Sequence, residues 1–142
     1  MADTLGVLLI SDGLERAHYA FVVATAAAAI GRDVTLFATN GGCHALLDTP
    51  PYAGSPYVGS SYAGASYAGA SYVGSSNVGP TIPGVATLAE LRDAALALGI
   101  RMMACPMGLR LAGLEGAALA PGVVVAGVPS FLAAASGQVI TL

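Results

Sequence analysis

The chain has 142 residues, of which 56% are hydrophobic and only 9% charged, and its eight acids outnumber five arginines, with no lysine at all, to give a net charge of -3. Such a chain has no basic surface for phosphates, which argues against nucleic-acid binding. So much apolar surface must be hidden in a core or against further copies of the chain, and a homo-oligomer is expected.

The length suits one compact domain over residues 1–142. The longest apolar run, Ala20 to Ile30, falls well short of the roughly 20 residues of a spanning helix, so no membrane span is expected. Met1-Ala2-Asp3-Thr4 lacks a basic start, and Ser11-Asp12-Gly13 breaks the apolar stretch that follows, unlike a secretory signal. The expected compartment is the cytoplasm. Two cysteines, Cys43 and Cys105, are too few for a disulfide framework and read instead as packed, catalytic or metal-bound thiols.

In chain order, Leu5 to Ile10 is a short apolar run of the kind that forms a strand buried on both faces of a parallel sheet. A helix follows, with Asp12 and Glu15 in capping-box spacing, apolar residues at Leu14, Ala17, Phe21, Ala24 and Ala28, and Gly31 as a left-handed stop. Val34 to Thr39 reads as a second strand, and Cys43 to Leu47 as a short helix after Asn40-Gly41-Gly42.

From Tyr52 to Gly79 the sequence repeats every five residues, with tyrosine at 52, 57, 62, 67 and 72 and glycine at 54, 59, 64, 69, 74 and 79. A period of five fits neither strand nor helix, so residues 50–83 read as a low-complexity insertion rich in turn-forming residues. As a loose coil its ends would lie on the order of 30 Å apart. The repeated G-x-x-x-x-G spacing has no Lys-Ser/Thr after it and is no phosphate loop.

Regular structure resumes at Thr87. Thr87 and Glu90 form a second capping box, Leu88, Leu91, Ala95 and Leu98 make an apolar stripe with Glu90, Arg92 and Asp93 off it, and Gly99 ends the helix. Ile100 to Ala104 and Val123 to Ala126 read as strands, Pro129 to Ala135 as a helix entered through proline, and Gln138 to Leu142 as a last strand. The alternation predicts an α/β fold: a mainly parallel sheet of about five strands with helices on both faces.

Cys105 stands where the third strand ends, the edge at which parallel sheets form their sites. Pro106 disfavours helical geometry at Cys105 yet suits the first helical position, which puts Cys105 at a helix N-cap. The N–H groups of Met107 and Gly108 are then expected to face its sulfur, with Arg110 as a nearby positive charge; such surroundings favour a thiolate. The competing reading is an inert thiol packed among Met102, Met103 and Met107. Cys43 also follows a strand, and a relay role beside Cys105 is open to it. A zinc site from Cys43, His44, His18 and Cys105 lacks C-x-x-C or H-x-x-x-H spacing; no metal and no cofactor is expected, and a flavin or nucleotide site has no fingerprint here.

Four stretches resemble the DsrE-like (DsrE/DsrF/DsrH) family: Gly84 to Arg92, Leu98 to Met107 with its Ala104-Cys105 step, Gly113-Leu114, and Pro121-Gly122-Val123 to Ala126-Gly127-Val128. The resemblance implies a flavodoxin-like three-layer αβα domain that assembles as trimers or hexamers. It also implies persulfide sulfur received on Cys105 and exchanged with a TusA-like carrier or a rhodanese. Relatives often carry serine three residues after the cysteine, where this chain has Gly108, and the pentad tract replaces the family's usual connection between the halves.

Overall fold

The computed structural model describes residues 3–50 and 84–142. The pentad tract lies outside them. Five strands form one parallel sheet: β1 (Thr4–Leu9), β2 (Asp33–Ala38), β3 (Arg101–Ala104), β4 (Val123–Val125) and β5 (Gln138–Thr141), in the order β4-β3-β2-β1-β5. The helices are α1 (Leu14–Ala29), α2 (Leu88–Ala97), α3 (Pro106–Leu111) and α4 (Val128–Ala134), with a 3-10 helix at Asn40–Leu46. The parallel five-stranded α/β architecture is the expected one, and the strand bounds differ from expectation by a residue or so.

Alternation along the strands sorts side chains between two faces. Leu5, Val7, Leu9, Leu36, Met102 and Ala104 point to one face, where Ala17, Phe21 and Ala24 of α1 and Leu88 and Ala95 of α2 cover them in the main core. Phe37 points to the other, where it joins Phe131 and Ala135 from α4 and its C-cap, with Cys105 alongside and Leu8 and Met103 partly buried against the cluster. Chain direction explains the split. The first connections step one way across the sheet, from β1 to β4, and the last returns past all of them to β5; right-handed crossovers running in opposite directions lay their helices on opposite faces.

Close approach of α4 depends on Gly6. A Cβ there would sit 2.5 Å from the Ala135 Cβ and 2.8 Å from the Phe131 ring, so only glycine lets the helix rest on the middle of β1.

The helix termini divide into two kinds. Thr87 and Glu90 exchange both hydrogen bonds of a capping box at the start of α2 (Thr87 N–H to Glu90 at 2.8 Å, Glu90 N–H to Thr87 Oγ1 at 3.2 Å), and Gly31 and Gly99 adopt φ of +93° and +76° just past their helices, all as expected. The capping box expected from Asp12 and Glu15 does not form: Gly13, at φ 138°, is the N-cap of α1, and no side chain caps it. Asp12 is instead pressed against the 3-10 helix, so close that a Cβ on Gly41 would lie 2.4 Å from its own.

Arg92 is the second departure. Although it lies off the predicted stripe, it is buried, and its guanidinium donates to the carbonyls of Ala45 (3.1 Å), Leu47 (2.6 Å) and Asp48 (3.3 Å). It thereby ties α2 to the end of the 3-10 helix, supplying donors to carbonyls that a helix terminus leaves open.

Candidate functional site at the carboxyl end of the third strand

The carboxyl end of β3 is built from the backbone outward. Cys105 N–H donates to the Ala38 carbonyl at 2.9 Å, which extends the β2–β3 pairing by one residue. Pro106 then forces the turn. Cys105 takes the extended conformation that a following proline favours, φ −72° and ψ 125°, and becomes the N-cap of α3, with its carbonyl accepting from Leu109 N–H at 2.8 Å. Its Sγ accepts a hydrogen bond from Gly108 N–H at 3.4 Å. With only six residues in α3, this local donor matters more to the sulfur than any helix dipole, which accumulates over longer helices.

Gly108 is held by packing. A Cβ at this position would lie 2.3 Å from Thr39 Oγ1, 2.4 Å from the Asn40 nitrogen and 2.8 Å from the Thr39 Cα. Glycine at this position thus lets the first turn of α3 settle directly on the chain leaving β2. Asn40 meets it in a left-handed conformation, φ 51°, with its Oδ1 accepting from Thr39 Oγ1 at 3.1 Å.

The other anticipated residues are more scattered. Met107 is 63% exposed on the rim. Arg110 is spent in a surface ion pair, donating from Nε and one amino group to the Glu115 carboxylate, each at 3.2 Å. Cys105 itself is 3% exposed, against Phe37 and Phe131. The site lies away from the topological switch of the sheet, which falls between β1 and β5. At that switch the N–H groups of Ile10 and Ser11 already donate to the Leu142 carbonyl, at 2.9 and 3.4 Å.

Cys43 comes close to Cys105, a relation the sequence left open. Gly42 fits against the Leu9 carbonyl with no room for a Cβ, and this seats Cys43, fully buried, under the end of β2 with its thiol 3.6 Å from the Ala38 carbonyl. The same carbonyl receives Cys105 N–H. Burial pushes the Cys43 thiol up to about 11, the charge of Cys105 adds to the rise, and a hydrogen bond from the Cys105 backbone opposes it. Both cysteines are free thiols.

This raised value has a consequence for stability. A thiol that holds its proton more tightly in the folded state stabilises the fold fully below its unfolded value, 9.0, and loses that contribution as pH climbs toward about 11. Between pH 8.5 and 11 the wild type is therefore expected to lose on the order of 2 kcal/mol more than Cys43→Ala in urea unfolding. Parallel profiles for the two proteins would clear Cys43 of the effect.

The histidines have structural partners. His18 is buried on α1, its Nε2 2.7 Å from the Ala86 carbonyl, and His44 Nδ1 lies 2.9 Å from the Gly41 carbonyl and 3.7 Å from Asp12. Among the described residues no three His, Cys, Asp or Glu side chains gather as a metal site, and no helix is long and apolar enough to cross a membrane.

Together these features define a parallel α/β protein with a nearly buried cysteine at a strand-to-helix turn. Residues 76–142, which contain that turn, match the sequence model of the DsrE/DsrF/DrsH-like family, so the part of the chain that carries Cys105 is DsrE-like. The whole chain is similar in fold to the crystal structure of the ychN protein from E. coli, with a TM-score of 0.65 and 14% identity, covering 100% of both chains. No curated protein matches the chain in sequence.

Proposed function

We propose that this is a sulfur-relay protein that carries persulfide sulfur on Cys105 and exchanges it with a partner carrier. Sulfur relay is the general business of DsrE-like proteins, and the observation that carries the reading to this chain is the Cys105 turn, where a backbone N–H meets Sγ at 3.4 Å. A persulfide is formed when a sulfur nucleophile accepts a sulfur atom from a donor. Gly108 N–H supports the charged forms of that sulfur, Cys105 is the acceptor and holder, and the protein acts in this reading as a sulfurtransferase without metal or cofactor.

The near burial of Cys105 suits a labile cargo, because apolar neighbours limit the approach of water and stray thiols. The added sulfur extends the side chain by about 2 Å, and the exposed Met107 and Leu111, near the start and at the end of α3, provide an apolar rim for a partner of the TusA or rhodanese kind. Arg110, already paired with Glu115, contributes at most weakly, as exposed ion pairs do. We read residues 1–142 as one domain in the cytoplasm, with the pentad tract as an insertion.

Incubation of the protein with a persulfide donor, followed by intact-mass measurement, is expected to show one added sulfur in the wild type and none in Cys105→Ser. Wild type that gains no sulfur would sink the reading.

A second reading has its own observation. Val124, Val128, Leu132 and Val139 are all exposed, an apolar share that suits a second copy of the chain and hence a trimeric or hexameric scaffold in which Cys105 is merely packed. Slow alkylation of Cys105 by iodoacetamide at neutral pH, together with failure to load sulfur, would favour it.

A further inference from the structure

Cys43 is a buried nucleophilic group that carriage of sulfur on Cys105 does not require. Its position is specific. Gly42 against the Leu9 carbonyl, Gly41 against Asp12 and Arg92 on the carbonyls of Ala45, Leu47 and Asp48 pin the 3-10 helix from three sides. The thiol is thereby held on the Ala38 carbonyl, the acceptor that also receives Cys105 N–H. Solvent does not reach Cys43, so external oxidants, donors and alkylating agents do not reach it either. Cys105, by contrast, is 3% exposed, and its backbone N–H is anchored to the same Ala38 carbonyl as the Cys43 thiol.

We propose that Cys43 is the resolving thiol of the site: it attacks the sulfur of persulfidated Cys105, closes a Cys43–Cys105 disulfide and releases the cargo as hydrosulfide. This rests on Cys105 as the sulfur carrier. In the step, Cys43 Sγ loses its proton and bonds to Cys105 Sγ, and the bond between Cys105 Sγ and the outer sulfur breaks. The outer sulfur leaves with the bonding electron pair and takes up the proton that Cys43 lost, so Cys43–SH and Cys105–S–S⁻ become Cys43–S–S–Cys105 and HS⁻. The outer sulfur is reduced, and the two cysteine sulfurs are together oxidised to the disulfide. A dithiol reductant then restores both thiols.

The chemistry sets the tempo. Attack requires the thiolate, and burial keeps Cys43 protonated at neutral pH, so discharge is slow beside transfer to a partner. Cargo that meets a carrier is handed on, and cargo that waits is released as sulfide.

The test uses the full chain, loaded with inorganic polysulfide, freed of excess donor and held without added thiol while intact mass and released hydrosulfide are followed. The loaded wild type is expected to convert to a species two hydrogens lighter than the reduced protein, with one hydrosulfide per disulfide. Peptide mapping without reduction should join the Cys43 and Cys105 peptides. Cys43→Ala is expected to keep its sulfur at least tenfold longer. Wild type that holds sulfur as long as the variant, or that yields no joined peptide, overturns the resolving role and leaves Cys105 as a carrier. Failure of both proteins to load overturns the carrier reading and this one with it. If Cys43→Ala does not fold, the peptide map of the loaded wild type decides alone.

Discussion

Phe131→Ala is expected to cost the fold about 3–5 kcal/mol, the range for removing a buried aromatic ring. Phe131 is almost wholly buried and stacks on Phe37 with ring centroids 5.0 Å apart. Among the described residues, it belongs to the one helix that covers its face of the sheet, and the second core cluster holds only Phe37, Phe131, Ala135 and Cys105 as buried or nearly buried members. The space left has few neighbours able to collapse into it, because Gly6 below offers no side chain. Against a typical domain stability of about 5–15 kcal/mol, such a loss leaves the protein marginal. Urea unfolding measures it, and a loss under about 1 kcal/mol would show that α4 is held by something other than this contact. Cys105 shares the cluster, so its alkylation should also accelerate in any folded fraction.

Gly108→Ala is the second large effect, and it separates geometry from mere presence of the cysteine. Of the three close atoms around the added methyl, the Asn40 nitrogen and the Thr39 Cα are backbone and cannot swing aside as a flexible side chain would. The first turn of α3 must move, at the 1–3 kcal/mol typical of overpacking, and Gly108 N–H leaves the sulfur it meets at 3.4 Å. A hydrogen bond to a charged group contributes roughly 1.5–3 kcal/mol, so the rate of sulfur loading on Cys105 is expected to fall about tenfold or more under conditions where the variant remains folded. Unchanged loading in the folded variant would remove Gly108 from the site and leave it a packing residue only.

Much of the architecture was legible because its causes are local. Alternating apolar runs and capped amphipathic stretches need only their own neighbours in sequence, which is why Thr87 and Glu90 cap α2 as expected and why Gly31 and Gly99 end their helices in left-handed turns. The turn at Cys105 is equally local, since Pro106 dictates both the extended cysteine and the helix start. Asp12 shows the limit of this reasoning. Its spacing to Glu15 suits a cap, but packing against Gly41 claims the residue first. Arg92 carried a signal in the other direction: it lies four residues after Leu88 and three before Ala95, on the buried face by helical spacing, and its charge concealed the fact.

By itself, then, the sequence determined the kinds and order of the elements, the cysteine at the end of a strand, and the resemblance on which the proposal of sulfur as cargo rests. Only the tertiary structure decided the order β4-β3-β2-β1-β5, the reason Gly108 must be glycine, and the sharing of the Ala38 carbonyl between Cys43 and Cys105. The physical reason is range. Helix caps, proline turns and hydrophobic periodicity act over a few residues, whereas the Cys43 thiol and the Cys105 N–H, carried on separate connections, reach one carbonyl only when strand pairing and close glycine contacts bring distant parts of the chain to one edge of the sheet.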